Sequence, residues 1–209
     1  DFERDEVKVE VDAKGKPVRI YRKKRLDTHK PVEEFMLLTN REVAEFVFRG
    51  HEKSKIHNAL LYRIHDTPDK EKIAALGIFL RAFGYELPIA KGGKVSAKDI
   101  SAILKQVEGK AEESLIKTAA IRSMAKAVYS TKNIGHFGLA FQFYAHFTSP
   151  IRRYADLMVH RTLAAHLDGN RIPQHEIVTY DKIAREATVR EIAAAEAERE
   201  SIKLKQVEY

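Results

Sequence analysis

The chain has 209 residues, 44% hydrophobic and 32% charged, which suits one globular domain, or one large piece of one, with enough apolar material for a core. No stretch reaches the length of a membrane span, no signal peptide is visible at Asp1, and the absence of cysteine excludes disulfides, thiol catalysis and thiolate zinc sites while fitting a reducing cytoplasm. A net charge of +7 favours an anionic partner, nucleic acid first and an acidic membrane surface second.

In chain order, residues 6–24 alternate Val7, Val9 and Val11, turn through "DAKGK" and resume with Val18 and Ile20, which predicts a β-hairpin. A lone hairpin is marginal in water. It must pack on helices or belong to a larger sheet, and because it begins almost at the first residue it reads as part of a truncated domain. "PVEEFMLLTNREVAEFVF" (31–48) opens on Pro31 with early acids and carries Val32, Phe35, Leu38 and Val43 on one stripe, a helix. "ALLYRIHD" (59–66) leans to strand, and Thr67-Pro68 reads as the cap of a helix over 69–83 stopped by Gly84. After the loop "LPIAKGGK", Ser96 caps a helix to about Val107, and another follows over 110–129. "TKNIGHFGLAFQFYAHFT" (131–148) mixes glycine, histidine and aromatics without clean periodicity, an ordered loop with room for a short strand in which most of Phe141, Phe143, Tyr144 and Phe147 are core. Helices are expected at about 150–167 and 175–207, the second with Ala193, Ala194, Ala195 and Ala197 suited to close packing. The fold class is mostly α with a small β component: a hairpin over 6–24 and a helical body over 31–209.

"YAHFTSPIRRYADLMVHR" (144–161) carries the sharpest chemical signal. Ser149 and Pro150 read as N-cap and first position of a helix whose buried stripe is Ile151, Tyr154, Leu157 and Met158. Arg152 and Arg153 then stand at the positive end of the helix dipole, where anions are preferred. Asp156, three residues on, is placed to pair with Arg153. A helix start with two guanidinium forks is a phosphate receptor, and a bound phosphate would offset the unfavourable charges. Thr148 and Ser149 add hydroxyls to that neighbourhood. His136 and His146 fit no standard zinc spacing and read, like His65 and His160, as structural or hydrogen-bonding groups.

"HFGLAFQFYAHFTSPIRRYADLMVHR" resembles the C-terminal signature of the ribonuclease II/ribonuclease R (RNB-domain) family of processive 3′→5′ exoribonucleases. "DFERDEVKVEVDAKGKPVRI", "HKPVEEFMLLTNREVA", "LYRIHDTPDKEKIAALGIFLRAFG" and "AEAERESIKLKQVEY" fall in that family's order and spacing, closer to its ribonuclease R branch, so the resemblance covers nearly the whole chain. It implies a cytoplasmic enzyme that holds single-stranded RNA in a narrow channel and hydrolyses the 3′-terminal phosphodiester with magnesium, releasing nucleoside monophosphates. By the resemblance Arg152 contacts the scissile-end phosphate and is required for cleavage, Arg153 assists, and Glu33 touches the terminal ribose. Phe2 stacks on the last bases, and Glu191 influences RNA positioning; Thr148 and Ser149 complete the RNA-binding set.

One departure stands out. The family's metal-binding aspartates lie upstream of anything present in residues 1–209, and the acidic pairs Glu33-Glu34 and Glu112-Glu113 do not replace them. The chain therefore reads as the C-terminal part of an RNB catalytic domain, without metal ligands of its own. It is separated from the N-terminal half and the flanking oligonucleotide-binding domains, is inactive alone and binds no magnesium tightly. The alternative is a non-catalytic RNA-binding or scaffolding protein built on a degenerate RNB domain. A basic domain for protein or membrane surfaces would need an apolar patch or basic amphipathic helix.

Overall fold

The computed structural model describes residues 7–22, 26–54, 59–170 and 172–209. Its fold is α+β, mostly helical, with two small antiparallel two-stranded sheets. β1 (Val7–Val11) and β2 (Pro17–Arg22) form the expected hairpin, with Asp12 Oδ1 accepting the Lys14 and Lys16 backbone N–H groups to shape the turn. The hairpin lies against the distal part of the last helix, where the Lys205 ammonium donates to the Gly15 carbonyl. Packing on a helix, one of the two arrangements the sequence allows, is present.

α1 (His29–Ser54) starts two residues before Pro31. Only its second half enters the core: Ala44 and Val47 are fully buried, whereas Val32, Phe35 and Leu38 of the expected stripe are exposed. The helix projects its first turns past the elements that bury its second half. β3 (Tyr62–Ile64) pairs with β4 (Val128–Ser130), aligning Arg63 with Tyr129. The helix expected over 110–129 is therefore shorter, α4 (Glu113–Ser123), because the residues after Met124 leave it to pair with β3.

Between the paired strands, α2 (Lys70–Ala82), α3 (Ala97–Gln106) and α4 enclose a second core of Ile73, Leu80, Ile100, Ile103, Val107 and Ile116. α2 is capped by Asp69, whose carboxylate accepts from the Glu71 and Lys72 N–H groups, and not by Thr67-Pro68. A carboxylate at the N-cap both accepts hydrogen bonds and complements the dipole. Ser96 caps α3 as expected, within a capping box closed by Asp99.

The main core gathers Leu60, Leu61, Tyr62, Met158, Val159 and Tyr180 among α1, β3, β4, α5 (Tyr154–Leu167) and α6 (Gln174–Glu208). Tyr144 is buried in the 131–148 segment, while Phe141, Phe143 and Phe147 are half-buried, the last two against this core. Thr162 on α5 donates to the Ala59 carbonyl of the strand segment and to Met158 on its own helix. Ala193, Ala194, Ala195 and Ala197 of α6 are exposed, so in place of close packing their small side chains leave open space along the helix.

Candidate functional site

The 149–153 segment departs from a simple helix start. α5 begins at Tyr154, with Arg153 at the N-cap position and no side-chain cap. Ser149 does not cap the helix. Its carbonyl accepts the N–H groups of Arg152 and Arg153, closing a turn ahead of α5. Asp156, in the first turn of α5, reaches back to the Ser149 N–H at 2.8 Å and grips Arg153 through both oxygens, 2.9 Å to Nη2 and 2.8 Å to Nε. Asp156 is fully buried. The first half of the expected stripe fails accordingly: Ile151 rides on the turn and is 102% exposed and Tyr154 is exposed, whereas Leu157 is half-buried and Met158 faces inward with Ala155, Asp156, Val159 and Thr162.

The same lock separates the two arginines. Arg153 is spent on Asp156 and is 25% exposed, whereas Arg152 is exposed and, among the described residues, forms no ion pair. Arg152 opens onto a cleft of about 810 Å³ between the start of α5 and the middle of α6. Arg153 and Tyr154 line it with Tyr129; Glu186, Ala187, Arg190, Glu191, Ala194 and Ala195 form the α6 wall. The exposed alanines therefore shape a wall of the cleft.

Of the residues singled out from the sequence, Arg152, Arg153 and Glu191 meet in this cleft. Ser149 closes the turn through its carbonyl, and the neighbouring Thr148 Oγ1 is buried without a hydrogen-bond partner among the described residues. Glu33 lies half-buried in the second turn of α1 and does not line this cleft. Phe2 lies outside the described residues.

Two groups escaped the sequence reading. Arg63, on β3, places Nη1 2.6 Å from Glu191 Oε2, and its guanidinium stacks 4.7 Å from the Tyr129 ring centroid. Tyr129, on β4, hydrogen-bonds His146 Nδ1 at 2.8 Å through its hydroxyl. A lone arginine inside the apolar run "ALLYRIHD" was a signal of a buried partner, but the identity of that partner lies far along the chain.

The half-buried histidines and Tyr129 are electrically quiet. Burial, reinforced by Arg153 and Arg63, pushes His146 down to about 3, and burial with the neighbouring His65 pushes His136 down to about 4. Burial raises the Tyr129 phenol to about 12. These groups are neutral at neutral pH and act as fixed hydrogen-bonding partners, as read for His136 and His146; His65 accepts from the Gly138 N–H and lies 2.8 Å from the Ala125 carbonyl. The cleft offers an exposed guanidinium at its mouth, able to take an anion, among further guanidiniums and carboxylates along its walls.

Among the described residues no three His, Asp or Glu side chains are grouped so as to hold a metal ion. Asp156 and Glu191 are each committed to an arginine. The donor set here does not fit the magnesium that the resemblance implies. Among the described residues no helix is long and apolar enough to cross a membrane.

Residues 1–169 match the RNB domain family. The ribonuclease R of Aquifex aeolicus is 37% identical over 211 residues, which cover all of this chain and 29% of that protein. The structure of Mycoplasma genitalium RNase R in complex with ribose-methylated single-stranded RNA superposes with a TM-score of 0.85 at 27% identity, over 100% of this chain and 32% of that one. Yeast Ssd1, a pseudonuclease, shares the fold at a TM-score of 0.58 and 23% identity, over 75% of this chain and 20% of that one. The chain spans under a third of the length of the ribonuclease R proteins it matches. With a match across most of its length and a full-length fold in common with RNase R, the chain belongs to the RNB-domain family.

Proposed function

We propose that this chain is the C-terminal part of the catalytic domain of a cytoplasmic 3′→5′ exoribonuclease that hydrolyses single-stranded RNA to nucleoside monophosphates. In this reading its own residues bind and orient the RNA. Arg152 grips a backbone phosphate near the scissile end, the Arg153–Asp156 pair holds the turn that aims it, and Glu191 offers an acceptor to the same nucleotide. Glu33 contacts the terminal ribose and Phe2 stacks on the last bases. Magnesium and the aspartates that hold it belong to the rest of the domain, outside these residues, as do the oligonucleotide-binding domains.

The observation that carries this reading is the exposed, unpaired Arg152 at the mouth of a cleft that also holds Arg153 and Glu191. An exposed, unpaired guanidinium beside a charge-locked one is free to make a forked, charge-assisted contact with phosphate. The test is fluorescence anisotropy with a 5′-labelled single-stranded RNA at several salt concentrations. Wild type binds with an affinity that falls steeply with salt. Arg152→Ala loses about ten- to a hundredfold, the scale of one charge-assisted hydrogen bond. Equal binding by both proteins at low salt would sink the phosphate reading. Magnesium-dependent release of monophosphates by the purified chain would overturn the placement of the metal ligands elsewhere.

A further inference from the structure

Arg63 compensates one of the carboxylates in the cleft. A groove that receives a polyanion at Arg152 also presents Glu198, Glu186, which lies 3.9 Å from Arg190, and Glu191, whose side chain is 36% exposed. A bare carboxylate there would repel the ligand that Arg152 attracts. Arg63 stands behind that wall. It does not line the cleft, its side chain is 14% exposed, and its Nη1 sits 2.6 Å from Glu191 Oε2.

Its support is rigid on every side. The Arg63 backbone N–H donates to the Tyr144 carbonyl at 2.9 Å, and β3–β4 pairing sets it opposite Tyr129. The Tyr129 ring lies under the guanidinium at 4.7 Å, and the Tyr129 backbone N–H donates to Thr188 Oγ1 on α6, one turn before Glu191. Strand, ring and helix are thereby tied into one frame whose charged contact is the Arg63–Glu191 pair. A planar guanidinium stacked on a ring and in close ionic contact with a carboxylate is more restricted than a mobile ammonium.

We infer that Arg63 is a positioning residue that neutralises Glu191 from behind the cleft wall, so that the cleft accepts a nucleic-acid phosphate at Arg152 while Glu191 serves as a directional hydrogen-bond acceptor. This rests on the proposed RNA-binding role of the cleft. A plain strand-to-helix staple would hold α6 to β3 with no effect on anions beyond folding; charge compensation makes a different prediction. Removing Arg63 alone leaves an uncompensated carboxylate facing the RNA, and removing both charges relieves that part of the defect.

The experiment is a charge cycle in the full chain, read by anisotropy with a 5′-labelled single-stranded oligoadenylate RNA and, in parallel, by urea unfolding midpoint. Arg63→Met weakens binding about three- to tenfold, the effect of one unit charge across a partly solvated cleft, and the defect shrinks as salt rises. Arg63→Met combined with Glu191→Gln binds RNA more tightly than Arg63→Met alone, because the uncompensated carboxylate is gone, while remaining short of wild type because Gln is a weaker acceptor. Arg63→Lys keeps the charge and stays within about twofold, which preserves the test if Arg63→Met fails to fold. A double variant as weak as Arg63→Met, or an Arg63→Lys as weak as an unfolded or uncharged variant, overturns the inference. Arg152→Ala in the same assay separates the two levels: if it binds like wild type, the phosphate reading itself falls, whereas a normal loss there with no coupling in the cycle sinks the role of Arg63 alone.

Discussion

Asp156→Ala is the perturbation that probes the site's foundation. In the native fold this fully buried carboxylate accepts from the Ser149 N–H and Arg153 Nη2 and lies 2.8 Å from Arg153 Nε. Truncation strands both partners. Breaking a buried ion pair from one side costs about 3–5 kcal/mol, and the 25% exposure left to Arg153 places this case at about 3 kcal/mol. The unpaired Ser149 N–H adds about 1 kcal/mol. A total near 4 kcal/mol is a large share of the 5–15 kcal/mol by which a domain of this kind is stable, so the variant unfolds at markedly lower urea. Urea titration followed by far-ultraviolet circular dichroism measures it. Because the same carboxylate closes the turn that presents Arg152, RNA affinity falls even under conditions where the variant is fully folded. Adding Arg153→Leu to Asp156→Ala recovers much of the stability, since loss of both charges spares the fold a buried unpaired one. An Asp156→Ala protein within about 0.5 kcal/mol of wild type would refute the lock.

Two further outcomes follow from the enclosed histidines. His146 and His136 have folded-state values of about 3 and about 4, below the ordinary unfolded histidine value of about 6.5, so unfolding takes up protons below that pH. Stability is therefore insensitive to these groups above about pH 6.5 and falls as pH drops from there toward their folded values, with the more enclosed His146 alone contributing about 1.4 kcal/mol per pH unit. Urea midpoints measured from pH 7.5 to 5 check this (about 2.5 units of pH), and replacing His146 by Phe flattens the slope; an unchanged slope in that variant counts against the buried neutral imidazole. At Gly138, a Cβ would sit 2.7 Å from His65 Nδ1, the atom that accepts the Gly138 N–H, so Gly138→Ala expels a ring pinned to the Ala125 carbonyl and costs about 1–3 kcal/mol. A wild-type urea midpoint for that variant would show that the ring yields freely.

What residues 1–209 determine by themselves is everything encoded at short range. The alternating valines and the Asp12 turn make the hairpin, the Ser96/Asp99 pair starts α3, and long runs of helix formers make α1 and α6. Those features depend on residues two to four positions apart, and the SPIRRY block with its companion stretches carried the family relationship in the same local way. Tertiary structure alone decided where α5 starts and which arginine stays free. Serine and proline favoured a helix from residue 150, yet an inward-facing Asp156 binds the Ser149 N–H and Arg153 together, which closes a turn, delays the helix to Tyr154 and leaves Arg152 and Ile151 outside. It likewise joined Arg63 to Glu191 and Tyr129 to His146, pairs separated by whole elements of chain. Local propensity is a matter of a few tenths to about 1 kcal/mol per residue, and a buried charge that must find its partner outweighs it.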